Sequence, residues 1–124
     1  MSKFVKVQTQ LRDLNLIKHA LDDLKLYYSE NANFTHLWSG FRGQVPLVVK
    51  VRNAQFGLRA TPSGDYEVIG DDMQMNVIRK ELGQIQQRYA YHAVRQATTE
   101  AGFELVEETV GRDQVIRMTV RRWS

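Results

Sequence analysis

The chain has 124 residues, 43% of them hydrophobic and 25% charged, and carries a formal net charge of +3. That length suits one domain, residues 1–124, and so many apolar residues with so little net charge exclude a disordered chain. The absence of cysteine excludes a disulfide scaffold, a thiolate zinc site, a cysteine-held iron–sulfur cluster and a cysteine nucleophile.

No apolar run approaches the ~20 residues of a membrane-spanning helix. The opening Met1-Ser2-Lys3-Phe4 passes straight into alternating sequence, so no signal peptide is expected and the expected compartment is the cytoplasm or an organelle stroma. In chain order, Lys3–Gln8 alternates as a strand does. Asp13 then stands as an N-cap before Leu14, Ile17, Leu21 and Leu24, whose three- and four-residue spacing makes one apolar stripe of an amphipathic helix. Leu26–Tyr28 begins a strand, Ser29–Asn33 reads as a turn, and Asn33–Gln44 shows no period and is expected to be a loop. Leu47–Val51 and Phe56–Ala60 read as neighbouring strands, Thr61–Asp65 as a tight turn and Tyr66–Ile69 as another strand. From a cap at Asn76, the residues Ile78, Leu82, Ile85, Tyr89, Ala93 and Ala97 hold helical spacing as far as Ala101, and Gly102 ends the helix. Gly83 inside it points to a bend or a close crossing.

The chain closes with Phe103–Val110, a turn at Gly111–Gln114 and Val115–Trp123. A hairpin on that turn sets Val110 against Val115 and sets Glu108, Leu105 and Glu104 against Arg117, Val120 and Arg121. Short strands joined mostly by tight turns, with two helices, give an α+β two-layer sandwich: a mostly antiparallel sheet with both helices on one face.

Several strings are distinctive: the opening MSKFVKVQTQLRDLNLIKHALDDL, the turn Gly40–Gln44, the segment Gln87-Arg88-Tyr89-Ala90-Tyr91-His92-Ala93-Val94 and the closing Ile116–Trp123. In this order they resemble the hypothetical chloroplast reading frame thirty-five family, a family of unknown function from cyanobacteria, algal plastids and other bacteria. The resemblance weakens over Tyr28–Ser39 and Gln55–Asp72. It implies a soluble protein, stromal in plastid-bearing relatives, and carries over no catalytic residue and no cofactor. As a partner it suggests an ATPase system of the AAA class.

Motifs for chemistry are sparse. His19, His36 and His92 form no closely spaced pair, so no metal site is expected, and Asp22-Asp23, Asp71-Asp72 and Glu107-Glu108 are adjacent pairs whose side chains diverge. On a helix Arg88, His92 and Arg95 share one side, with Tyr91 near that edge and Tyr89 and Ala93 toward the core. Three donors in a row suit a phosphate or carboxylate; the competing reading is that Arg88 pairs with a neighbouring acid and His92 closes a polar network. Asn31–Gly64 has no acid but carries Arg42, Lys50, Arg52 and Arg59 among aromatics, while the mixed signs of the closing hairpin speak against a phosphate backbone. Trp38 and Phe41 beside Arg42 are residue types enriched at protein interfaces.

The expectation is a non-enzymatic accessory or adaptor protein with a protein partner. Its surface joins the Asn33–Gln44 loop (Trp38, Phe41, Arg42) to the edge formed by Arg88, Tyr91, His92 and Arg95. The alternative is a module binding an anionic small ligand or nucleic acid through Arg42, Lys50, Arg52 and Arg88. Exposed edge strands leave room for a dimer.

Overall fold

The structure, a computed structural model, describes residues 3–36, 39–110 and 116–122. Asp13 caps α1 (Leu14–Asp23): its carboxylate accepts the N–H groups of Asn15 and Leu16 at 2.9 and 3.2 Å, which no helical carbonyl reaches. Ile17, Ala20 and Leu21 on the inner face are fully buried. Lys25, at a left-handed φ of 55°, ends the helix and turns the chain into the sheet.

Five strands pair antiparallel throughout: β1 (Phe4–Gln8), β2 (Tyr27–His36), β3 (Phe41–Val51), β4 (Ala54–Ala60) and β5 (Tyr66–Asp71), in the spatial order β1-β5-β4-β3-β2. Alternation sends Leu47, Val49, Phe56, Leu58 and Val68 toward the helices, where they pack with Ile17, Leu21, Ile78 and Ile85. Both helices lie on this face, as expected of the two-layer sandwich. Gly70 lets Ile78 come close: a Cβ there would stand 2.9 Å from the Ile78 Cδ1.

The sequence reading missed the continuity of β2. The expected turn at Ser29–Asn33 and the start of the expected loop lie instead within ten residues of strand, paired with β3 from Tyr27↔Lys50 to His36↔Phe41, and the end of that loop, Phe41–Gln44, belongs to β3. Asn31 puts its turn-forming conformation, φ 48°, inside the strand. It stands between Glu30↔Leu47 and Ala32↔Val45, and so opposite Pro46. Proline has no N–H to offer across the ladder, and the Gln44 side chain supplies the missing donor, Nε2 to the Asn31 carbonyl at 2.8 Å. At this point the hairpin exchanges faces. Tyr28, Leu47 and Val49 pack on the helix side, whereas Ala32, Phe34, Phe41 and Val45 pack on the opposite side with Val48, Ile69 and Phe4. The outer half of the hairpin thus curls over the back of the sheet and encloses a second, smaller core.

α2 (Met75–Glu100) follows a single 3-10 turn, Asp72–Gln74. The cap expected at Asn76 is displaced: Asp71 accepts the Met73 N–H at 2.8 Å and starts the 3-10 turn, and Asn76 lies inside the helix. Twenty-six residues span about 39 Å at 1.5 Å each. Met75, Ile78, Leu82 and Ile85 are buried against the sheet, and the later turns extend beside α1 and the closing hairpin. Gly83 makes no close crossing, since nothing lies within 4 Å of its missing Cβ. Gly102, at φ 88°, ends the helix as expected.

β6 (Phe103–Val110) and β7 (Ile116–Arg122) form a separate two-stranded sheet against α2. The expected register holds for Glu104↔Arg121 and Leu105↔Val120, then shifts by one at a bulge between Leu105 and Glu107. Arg117 therefore stands opposite Thr109 and not Glu108, and Ile116, not Val115, stands opposite Val110. A one-residue bulge leaves no mark in the period-2 pattern that sequence reading uses. The turn at Gly111–Gln114 lies outside the described residues, as do Trp38 and Trp123. Among the described residues no helix is long and apolar enough to cross a membrane.

Candidate functional site

Asp23, the last residue of α1, presents Oδ2 to two side chains of α2. Arg88 donates from Nε and Nη2, each at 3.0 Å, and His92 from Nε2 at 2.5 Å. The His19 ring lies 5.4 Å from that of His92, and the Arg88 guanidinium sits 4.4 Å from the centre of the buried Tyr91 ring. A carboxylate at a helix C-terminus opposes the helix dipole, and these two donors offset that cost while joining the helices. So Arg88, Tyr91 and His92 do come together, and the carboxylate that Arg88 and His92 hold is the chain's own. Arg95 is exposed farther along the helix and is not among the donors to Asp23.

Partial burial on its own pushes the Asp23 carboxyl up; the hydrogen bonds and charges of His92 and Arg88 outweigh it and hold the group below its ordinary value of 3.8. A lowered native value means that this clamp contributes fully above pH 3.8 and fades as pH falls through the native value. Thermal melts of the wild type and of Asp23→Asn are therefore expected to differ at about pH 6 and to converge toward about pH 3. A gap that stays constant over that range would show that the carboxylate's charge plays no part in joining the helices.

Of the other expected contact residues, Phe41 packs on the side of the sheet away from the helices. Phe41 stacks on Phe4 at 4.6 Å between ring centres, with Arg59 held 5.4 Å from its ring centre, so it belongs to the second core. Arg42 is exposed opposite Thr35, beside a shallow groove of about 480 Å³. Trp38 lies outside the described residues. Phe41, packed in the second core, is thus separated by the sheet from Arg88 and His92.

Near the hairpin tip the structure brings together three residues that the sequence reading left apart. Ser39 Oγ donates to His36 Nδ1 at 2.8 Å, and His36 Nε2 donates to Asp71 Oδ2 at 2.9 Å. The order is that of a nucleophile relay, but its surroundings are those of a fastener. The Ser39 N–H also points at Nδ1, the Phe41 N–H donates to the Ser39 hydroxyl, and the Gly40 N–H donates to the His36 carbonyl. These neighbouring backbone donors, which an oxyanion would need, are thus already engaged. His36, 5% exposed, ties the curled tip to the end of β5. The signal available in the sequence was the alternation of Ala32, Phe34 and His36.

The four cations of the alternative reading do not converge. Lys50 and Arg52 flank the exposed β3–β4 turn, Arg42 stands eight residues from Lys50 at the other end of the same strand, beyond the exchange of faces at Pro46, and Arg88 is on the helix side. Arg59 pairs with Glu67 at 2.7 Å.

The outer face of α2 collects what the core leaves over. Among the described residues four large hydrophobic side chains are exposed, Tyr27, Met73, Val77 and Val94. Three of them lie on α2 or on the turn leading into it. Between α2 and β7 runs an open cleft of about 790 Å³ whose apolar lining comes from Ala90, Tyr91, Val94, Ile116 and Met118. A second cleft, of about 750 Å³, borders Ala90 and Val94 on the other side, toward Leu11 in the segment between β1 and α1. Glutamines line both: Gln84 and Gln87 in the first, Gln8, Gln10 and Gln86 in the second. Lys80 also lines the first, and an apolar centre within a polar rim is the anatomy of a protein interface. The sequence reading followed the inward stripe of this helix and passed over the outward one.

Comparison with known proteins adds a family. Residues 20–119 match the model described as "Protein of unknown function (DUF1257)". The uncharacterized protein ycf35 of Pyropia yezoensis is 30% identical over 127 residues, covering 100% of this chain and 99% of that protein. Those of Guillardia theta and Cyanophora paradoxa are also 30% identical, each covering 99% of this chain and 98% of the relative. No solved structure matches the chain. With a family match over most of its length and relatives aligned from end to end, the chain belongs to the DUF1257 family of proteins of unknown function, as the resemblance to reading frame thirty-five implied.

Proposed function

We propose that this chain is an accessory or adaptor domain of the cytoplasm, or of the stroma in plastid-bearing relatives, that holds a protein partner against the outer face of α2. One observation carries the reading: of the four large hydrophobic side chains exposed among the described residues, Met73, Val77 and Val94 lie on α2 or the turn leading into it, and Val94 borders an apolar cleft that Gln84 and Gln87 also line. A surface of this kind is kept when it is covered part of the time. An ATPase of the AAA class, the partner that the family resemblance suggests, is the first candidate.

The test is retention of proteins from a native lysate on wild-type chain and on Val94→Arg. Val94 is exposed, so the variant is expected to fold and to lose a protein that the wild type retains. An identical protein set on both, or retention of nucleic acid that falls steeply with salt, would overturn the reading.

A further inference from the structure

The five-stranded sheet ends on β2 at one side and on β1 at the other, and the two edges are built differently. The left-handed Asn31 and the exchange of faces opposite Pro46 interrupt β2, as blunted edges are interrupted. β1 is regular from Phe4 to Gln8, without bulge or proline, and among the described residues no strand but β5 pairs with it. Its ladder fixes where each backbone group points. The Asp72 N–H donates to the Lys3 carbonyl at 2.9 Å, so Lys3 and Asp72 are a hydrogen-bonded pair, and by alternation so are Val5↔Gly70 and Val7↔Val68. The N–H and C=O groups of Phe4, Lys6 and Gln8 therefore point off the open edge, at intervals of about 6.7 Å. On the helix side of this edge Val5 and Val7 are only half-buried. Past Gln8 the edge opens into the cleft of about 750 Å³ between Gln8, Thr9 and Leu11 and the flank of α2, where the small Ala90 and Ala93 leave room. Lys6, exposed, is the only charged side chain of the strand.

We infer that β1 receives an extended segment of another protein as a sixth strand, with apolar side chains beside Val5 and Val7 and a carboxylate beside Lys6. Only an extended backbone returns donors and acceptors at the spacing of this ladder; a helix bonds its own backbone groups and has none to give. Neighbouring residues on paired strands share a face. The apolar row of the segment thus covers Val5 and Val7 on the helix side and leads toward the cleft beside α2, while its acid meets Lys6 on the other face. A second copy of this chain, pairing through its own β1, brings no acid to Lys6, since Phe4–Gln8 contains none. The inference goes beyond the reading above, because it rests on the backbone of β1 and not on the outer face of α2.

A displayed library of random peptides of about ten residues, selected on the full chain with counter-selection on Lys6→Pro, tests this. Proline at that position removes one outward N–H and leaves the ladder to β5 whole. Enriched peptides are expected to alternate apolar and polar residues, with Asp or Glu in the polar row. Methylating the amide nitrogens of one alternate set should abolish their binding, and methylating the other set should leave it. Lys6→Glu, which keeps every backbone N–H, is expected to weaken them about tenfold, and lysine in place of the peptide's acid is expected to restore the loss. Circular dichroism confirms that each variant is folded. Enriched sequences without a period of two, sequences without acid, equal sensitivity of both amide sets, or no enrichment over Lys6→Pro would overturn the added strand. So would sedimentation showing that the wild type dimerises and Lys6→Pro does not, which makes the occupant a second copy. The lysate comparison with Val94→Arg concerns the outer face of α2 and decides that reading separately.

Discussion

Replacing Phe56 by alanine is expected to lower the free energy of unfolding by about 3–5 kcal/mol. Phe56 is fully buried, at the middle of β4 and facing the helices, where Leu47, Leu58, Val68, Ile78 and Ile85 complete the cluster. The pleat carries no other side chain into that space, and Gly70 beside it has none to offer. The neighbours would have to shift together to close the gap, and a close-packed interior resists that. Against a total of roughly 5–15 kcal/mol for an ordinary domain, the variant should fall to a markedly lower urea midpoint with an unchanged slope. A loss under about 1 kcal/mol would mean that β4 does not lie beneath the helices.

His36→Ala is expected to cost about 2–3 kcal/mol, the range for losing a hydrogen bond to a charged group with some packing. His36 joins Ser39, Asp71 and the Phe4 ring, whose centre lies 5.9 Å from its own. Without it the carboxylate of Asp71 loses the Nε2–H donor that ties it to the hairpin. The damage should be local. Amide hydrogen exchange is expected to quicken at Phe34, Phe41 and Val45 while Val49, Phe56 and Val68 keep their protection. Uniform quickening would place His36 in the main core. An unchanged stability would show that the Ser39–His36–Asp71 chain serves something other than fastening.

Much of the architecture was legible locally. Alternation over Lys3–Gln8, the Asp13 cap with its stripe of Leu14, Ile17 and Leu21, and Gly102 at the end of α2 each act within a turn or two of chain, and the structure keeps all three. Local signals misled where a residue had another employment. Asn31 signalled a turn, and its left-handed φ is used inside a strand, because the proline opposite removes the donor that regular pairing would require. Tyr89 was expected toward the core and packs there, half-buried against the main cluster, with its hydroxyl accepting the N–H groups of Arg12 and Asp13, each at 3.1 Å. Tyr91, expected near the edge of Arg88 and His92, is buried. Helical spacing sets Tyr91 away from the core stripe, and its burial depends on what packs on the other side of α2.

What the sequence determined by itself is the inventory of elements and the α+β class, since caps, turns and hydrophobic period depend on neighbours a few residues away. Which charges would find partners was decided by the tertiary structure alone. Asp23 and His92 lie 69 residues apart along the chain, and His36 and Asp71 lie 35 apart; no period links them. The exposed Val77 and Val94 of α2 stand between the two. Their shared side of the helix is written in the sequence, but that this side faces outward follows only once the sheet and α1 have taken the other sides.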